Sequence, residues 1–255
     1  MKEIFPVKII RVSAVSYTNT QPFVYGLVHS AILRKINLSL DVPAECAQKL
    51  IHREVDIGLV PVASLLQITD YQIISDYCIG ANGAVDSVFI FSNKPIDQVR
   101  TMRLDPQSRT SNRLARVLLK NYWMLSPDFV ESGDTDAYVE IGDRTFGKKK
   151  HVNYVYDLSE AWTNFSGLPF VFAVWAANKS IPLDFISEFN SALKYGLDRR
   201  NEVIAALPLR VDFDLNHYLM NQIDFHFDDP KKQALRRFLE LVKELELAEN
   251  TATLT

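Results

Sequence analysis

Short apolar runs alternate along the chain with stretches in which apolar residues recur every three or four positions. Ile9–Val15, Leu38–Val42, Ile57–Val60, Tyr71–Ser75 and Ser87–Ser92 are rich in β-branched and aromatic residues, which predicts strands. Pro43 and Pro61 stop the second and third of these runs. Ala44–His52 places Ala47, Leu50 and Ile51 on one side of a helix, and Ser111–Tyr122 does the same with Leu114, Val117, Leu118 and Tyr122. Pro22 suits the first turn of a short helix that follows the polar loop Ser16–Thr20. Thr101–Leu104 and Ala137–Ile141 predict two further strands, and the long apolar run Phe170–Ala177 predicts a central strand buried on both faces. The last third is helical in pattern, over Leu183–Leu207 and Pro230–Leu247, before a polar tail, Ala248–Thr255, that is expected to fray. Strands alternating with helices predict an α/β architecture with mostly parallel sheets, and periodicity leaves open whether these form one sheet or two lobes.

Composition narrows the class. With 255 residues, 47% of them hydrophobic, the chain can bury a core without disulfides or metals. A net charge of -3 gives no global attraction to nucleic acid or to an anionic membrane. Cys46 and Cys78 are too far apart for a C-x-x-C pair and read as small buried hydrophobes in a reducing compartment. Pro6, Lys8 and Arg11 interrupt the N-terminal apolar stretch, so no secretory signal is predicted, and no run reaches the ~18 apolar residues of a membrane span. The expectation is a soluble, cytoplasmic protein.

Several chemistries lack their residues. There is no glycine-rich phosphate loop and no G-x-S-x-G elbow, and the five histidines are scattered without H-E-x-x-H spacing. Nothing calls for a metal, nucleotide or flavin, and no cofactor is predicted.

Four polar clusters interrupt the apolar pattern. Ser16-Tyr17-Thr18-Asn19-Thr20 follows the first strand, where open α/β sheets bind ligands, although a turn with a helix N-cap explains it equally. Asn82–Ser87 precedes the apolar run Val88–Phe91 and reads either as a ligand loop or as a plain entry into a strand. Asp105–Ser111 opens a helix; one N-cap accounts for one hydroxyl, while Ser108, Thr110 and Ser111 together suit an anion at a helix start. Gly142-Asp143 follows a strand, and Asp143 can simply cap the turn after it. Convergence of these loops on a small anion is the functional reading.

The order and wording of the clusters resemble the chorismate dehydratase family of the futalosine route to menaquinone. The carrying segments are Ser16-Tyr17-Thr18-Asn19-Thr20-Gln21-Pro22, Gly83-Ala84-Val85-Asp86-Ser87-Val88, Leu104–Ser111, Asp136–Asp143, and Tyr156-Asp157-Leu158 with Trp162, then Gly167–Trp175. Each alone is weak; five in order, from Val12 to Ala177, are specific. The resemblance implies a two-lobed type II periplasmic-binding-protein-like α/β fold with a ligand cleft between the lobes. Lobe one would comprise residues 1–90 and 177–255 and lobe two residues 91–176, with crossings along Ser87–Ser92 and Phe170–Ala177.

It also implies elimination of water from chorismate, a small dicarboxylate, to give 3-[(1-carboxyvinyl)oxy]benzoate, with no cofactor. Asn19 and Ser87 match the catalytic positions. Ser16, Tyr17, Thr18, Ser108, Arg109, Thr110, Ser111, Gly142 and Asp143 would bind substrate. No nucleic-acid or membrane partner is expected, and a homodimer is compatible with the reading. Two residues depart from the family pattern: Asp86, which would repel a dianion if it faced the cleft, and Arg144, which stands where a small residue is common. The rivals are the sister enzyme that makes 1,4-dihydroxy-6-naphthoate, which has a His absent after Ile141 here, and a non-catalytic solute-binding protein.

Overall fold

The computed structural model describes residues 9–252. The interrupted apolar stretch at residues 1–8 and the end of the polar tail, 253–255, lie outside the described residues. The strands are β1 (Ile10–Val15), β2 (Ile36–Asp41), β3 (Ile57–Pro61), β4 (Gln72–Ala81), β5 (Val88–Ser92), β6 (Thr101–Arg103), β7 (Asp128–Val130), β8 (Ala137–Ile141), β9 (Tyr154–Asp157), β10 (Phe170–Ala177) and β11 (Asp224–His226). The helices are α1 (Gln21–Val28), α2 (Pro43–Ile51), α3 (Arg109–Asn121), α4 (Leu158–Ser166), α5 (Leu183–Leu197), α6 (Arg200–Ala206), the single turn α7 (Leu215–His217) and α8 (Asp229–Ala252). The expected helix over 183–207 is thus broken at Asp198–Arg199, and the tail expected to fray remains helical through Ala252.

Two sheets form, in the orders β11-β4-β10-β3-β1-β2 and β7-β6-β8-β5-β9. The expectation of mostly parallel sheets needs correction, because both are mixed. β1 runs parallel to β2 and β3, but β10 is antiparallel to β3 and β4, and β11 is antiparallel to β4. In the second sheet β6 is parallel to β7 and β8, while β5 is antiparallel to β8 and β9. Of the reversed strands, β5 and β10 enter from the other lobe, whereas β11 is an edge strand of the first sheet. β5 and β10 arrive without the crossover helix over the same sheet that keeps neighbouring strands parallel.

The same pairing moves the lobe limits. β5 lies wholly in the second sheet and β10 wholly in the first, so limits at 90/91 and 176/177 cut through strands that each belong to one lobe. The chain passes between sheets at residues 82–87, after β4, and at 167–169, between α4 and β10. Hydrogen-bonded ladders hold β5 and β10 rigid, so the passages are the short irregular segments beside them.

Burial follows the patterning. β3 and β5 are buried at every position, and along β10 only Phe172 is partly open. Trp162 of α4 is fully buried against Phe170 and Phe238, and its indole N–H donates to the Pro169 carbonyl at 3.1 Å. Helices α1 and α5 touch through Gly26 and Gly196. A Cβ at Gly26 would lie 2.0 Å from the Ala192 carbonyl oxygen, and one at Gly196 would lie 1.8 Å from that of Pro22. This contact seats α1, and with it the loop of residues 16–20. Helix α8 packs on β10 of lobe one and on α3 of lobe two, with Arg113 paired to Glu246 at 2.8 Å and Arg116 paired to Glu249.

Candidate active site

A pocket open to solvent lies between the sheets. Lobe one contributes Val15, Tyr17, Asn19 and Thr20 from the end of β1, Pro43, Pro61, Ile79, and Phe172 and Ala173 of β10. The passage out of β4 contributes Val85 and Ser87, and lobe two adds Val88, Ser108, Thr110, Ser111, Ile141 and Gly142. The walls are apolar with convergent hydroxyl and amide groups, the usual make-up of a small-molecule site. No Lys, Arg, His or Glu side chain lines it among the described residues.

The lobes are tied together across this cavity. The Thr18 amide donates to both Asp143 carboxylate oxygens, at 3.1 and 3.2 Å, and the Thr18 hydroxyl donates to Oδ2 at 2.8 Å. Tyr17 donates its hydroxyl to Gln107 Oε1 at 2.6 Å, and burial pushes the tyrosine pKa up, so the proton stays in place. Its ring lies against Gly142, whose φ of 66° and absent side chain both matter: a Cβ there would sit 2.6 Å from Tyr17 Cε2. Thr110 Oγ1 accepts from the Ala63 amide at 3.2 Å and donates to the Phe172 carbonyl at 3.4 Å, joining the start of α3 to lobe one.

Of the residues expected at the site, Asn19, Ser87, Tyr17, Ser108, Thr110, Ser111 and Gly142 line the cavity. Four do not. Ser16 is exposed and gives its amide to the Asp41 carbonyl at 2.9 Å. Thr18 and Asp143 are spent on one another, as the interlobe tie. Arg109 turns away to Gln67 Oε1 at 2.5 Å, since the first residue of a helix whose next two positions face the cavity must point elsewhere. Ser108 is also the N-cap of α3, its Oγ accepting from the Ser111 amide at 3.0 Å. Thr110 and Ser111 are therefore the hydroxyls that capping does not consume.

The two departures resolve geometrically. Asp86 is not in the cavity wall; its carboxylate accepts from Lys149 Nζ at 2.7 Å and from Gln222 Nε2 at 2.8 Å. Arg144 donates to the buried carboxylate of Asp105 at 2.5 Å, which also accepts from the amides of Gln107 and Ile141 at 2.8 and 3.0 Å. Asp105 thus holds the α3 entry loop to the end of β8 and absorbs the arginine charge.

Two further residues bear on the site. Asp157 caps α4 by accepting from the Ser159 and Glu160 amides and also accepts from those of Val85 and Asp86, at 2.9 and 2.8 Å, fixing the passage that carries Ser87. Burial, opposed by those four amides, raises its pKa to about 6. It lies in the Tyr156-Asp157-Leu158 segment, but spacing alone assigns it no task. Tyr218 is fully buried behind the wall, and its hydroxyl donates to Ser87 Oγ at 2.9 Å. It comes more than forty residues after the last matched segment and carries no motif.

A chorismate dehydratase from Thermus thermophilus is 28% identical, with 88% of this chain and 92% of that protein covered. A chorismate dehydratase from Campylobacter jejuni is 27% identical, covering 81% and 84% respectively. Among solved structures, AF1704 from Archaeoglobus fulgidus superposes with a TM-score of 0.74 at 15% identity, covering 95% of this chain and 99% of that one. The Candida albicans CA3427 product, described as having the generic periplasmic binding protein fold, gives 0.64 at 13% identity, covering 92% and 90%. These likenesses show the two-lobed periplasmic-binding-protein fold. A menaquinone-biosynthesis family model matches residues 10–244, nearly the whole chain, and the chain belongs to that family.

Proposed function

We propose that the protein is a chorismate dehydratase, a carbon–oxygen lyase that converts chorismate to 3-[(1-carboxyvinyl)oxy]benzoate and water. The observation that carries the reading is the meeting of Asn19, from the end of β1, and Ser87, from the interlobe passage, at one cavity of neutral donors. Both relatives named above bear that activity.

The reaction is redox-neutral. The ring carbon bearing the enolpyruvyl ether loses a proton, the electrons of that C–H bond enter the ring, and the neighbouring C–OH bond breaks. The hydroxyl takes up a proton and departs as water, and aromatisation drives the step. No histidine or glutamate among the described residues lines the cavity, and the side-chain carboxylate of the substrate serves as the proton acceptor. A second carboxylate rests at the start of α3, where the Ser111 hydroxyl and the first-turn amides supply donors and the helix dipole favours an anion, while Thr110 gives its proton to the Phe172 carbonyl. Asn19 and Ser87 orient the leaving hydroxyl and stabilise the charge that builds in the ring.

The 1,4-dihydroxy-6-naphthoate synthase reading lacks its histidine, and a solute-binding role leaves Asn19 and Ser87 without a task. No helix of the described residues is long and apolar enough to cross a membrane. We place the reaction in the cytoplasm, with a small dicarboxylate and no nucleic acid as partner. Incubation of the purified protein with chorismate, followed by mass spectrometry, should show loss of one water and growth of an aromatic absorbance. Tight binding of chorismate without turnover would move the assignment to a solute-binding protein.

A further inference from the structure

Tyr218 opens a single π-helical turn, Tyr218–Gln222, between α7 and β11. Its ring packs edge-on against Phe146 of lobe two, with centroids 5.4 Å apart, and against Phe213 of lobe one at 5.2 Å. Those two phenylalanines stack on each other at 3.8 Å. The clamp immobilises the ring and leaves the hydroxyl as its one polar group. That hydroxyl donates to Ser87 Oγ at 2.9 Å. One buried phenol therefore backs Ser87, one of the two residues assigned to the reaction, while Tyr218 itself stays outside the cavity wall.

The direction of this bond decides what Ser87 can offer. A serine hydroxyl has one proton. If Ser87 gave it to Tyr218, that proton would be spent behind the wall. The phenol instead gives its own proton to Ser87 Oγ. The Ser87 proton is then free to point into the cavity, and a chain of donors aligned in one sense polarises it further. Burial holds the Tyr218 pKa well above the usual tyrosine value, so the phenol stays a donor across the working pH range.

We propose that Tyr218 is a positioning residue for the dehydration, one that donates to Ser87 Oγ and so aims the Ser87 proton at the departing hydroxyl. The inference rests on chorismate dehydration being the reaction. The test is a cycle of Tyr218→Phe, Ser87→Ala and the double variant in the chorismate assay, with Phe146→Leu as a control that loosens the clamp but keeps the phenol. Tyr218→Phe should fold and lower kcat by about tenfold or more with KM within about threefold, short of the roughly 10²–10³ for a donor on the reacting atoms. In the Ser87→Ala background the same change should cost less than about twofold, because coupled residues are non-additive. Phe146→Leu should lower the thermal midpoint and, because the phenol remains, lower kcat by less than Tyr218→Phe does.

Three results would overturn the proposal: a Tyr218→Phe enzyme with the kcat of the wild type, an equal loss in both backgrounds, or failure of Tyr218→Phe to fold, which would make the hydroxyl structural. Absence of turnover by the wild type sinks the proposed function and this inference together, and it is read before any variant is assayed.

Discussion

At the scale of single residues, the site depends on neutral groups held in place. Asn19→Ala and Ser87→Ala should each fold normally, judged by circular dichroism, and lose about 10²–10³ in turnover with a much smaller change in product affinity. Near-wild-type turnover in both would remove them from the mechanism. Gly142→Ala tests a different property. It puts a side chain at positive φ and against the Tyr17 ring, a strain of about 1–3 kcal/mol that is relieved only by moving Tyr17 or opening the cleft. KM should therefore rise more than kcat falls; an unchanged KM would show that Tyr17 yields freely. Sequence made Asn19 and Ser87 legible because they sit in loops of recognisable wording. It could not separate Thr110 and Ser111, which face the cavity, from Arg109, which faces Gln67. That distinction depends on how α3 is rotated about its axis, which neighbouring elements decide.

At the scale of elements, the strand map read from patterning holds where strands are long and buried, as in β1, β3, β5 and β10. It misses β7, β9 and β11, each of three or four residues with mixed burial, which exist only because a neighbour offers ladder hydrogen bonds. The turn that carries Tyr218 is illegible for a related reason. Its five residues follow a one-turn helix and have no period of their own, and the aromatic clamp sets their path.

The join between β9 and α4 allows a pH experiment. Asp157 has an ordinary pKa of 3.8 and a folded one of about 6, so between those values the folded chain holds a proton that the unfolded chain releases. Its contribution to stability therefore falls as pH rises through that window, by on the order of 1–3 kcal/mol in all. Asp56 behaves oppositely. Arg11 and Lys179 hold its pKa below the ordinary carboxylate value, so the stability it lends is present above that value and fades as pH falls. Denaturant unfolding from pH 4 to 7 should show a wild-type minus Asp157→Asn difference that declines toward high pH. A flat difference would mean that Asp157 titrates like an exposed acid.

At the scale of the whole molecule, the two-lobed plan and the cleft follow from the resemblance. The exact passages do not, because strand patterning says that a segment is buried but not in which sheet. The ties Thr18–Asp143 and Tyr17–Gln107 describe a closed cleft. Bending is expected at residues 82–87 and 167–169. Asp143→Ala should raise KM severalfold with a smaller effect on kcat, and solution scattering should show a larger radius of gyration that product binding reduces. Identical scattering profiles for wild type and variant would mean that the closed form does not depend on this tie.

The position of β10 between β4 and β3 also bears on how the molecule is made. A ribosome releases the lobe-one strands β1 to β4 first, yet their sheet lacks its middle until residues 170–177 emerge. Before then β3 and β4 have no shared neighbour and expose apolar edges. Every strand of the second sheet is synthesised before β10, so lobe two can finish while lobe one waits. Nascent chains whose emerged part ends just short of Phe170 should therefore protect β5–β9 from proteolysis and leave β3 and β4 open to cleavage and to chaperones.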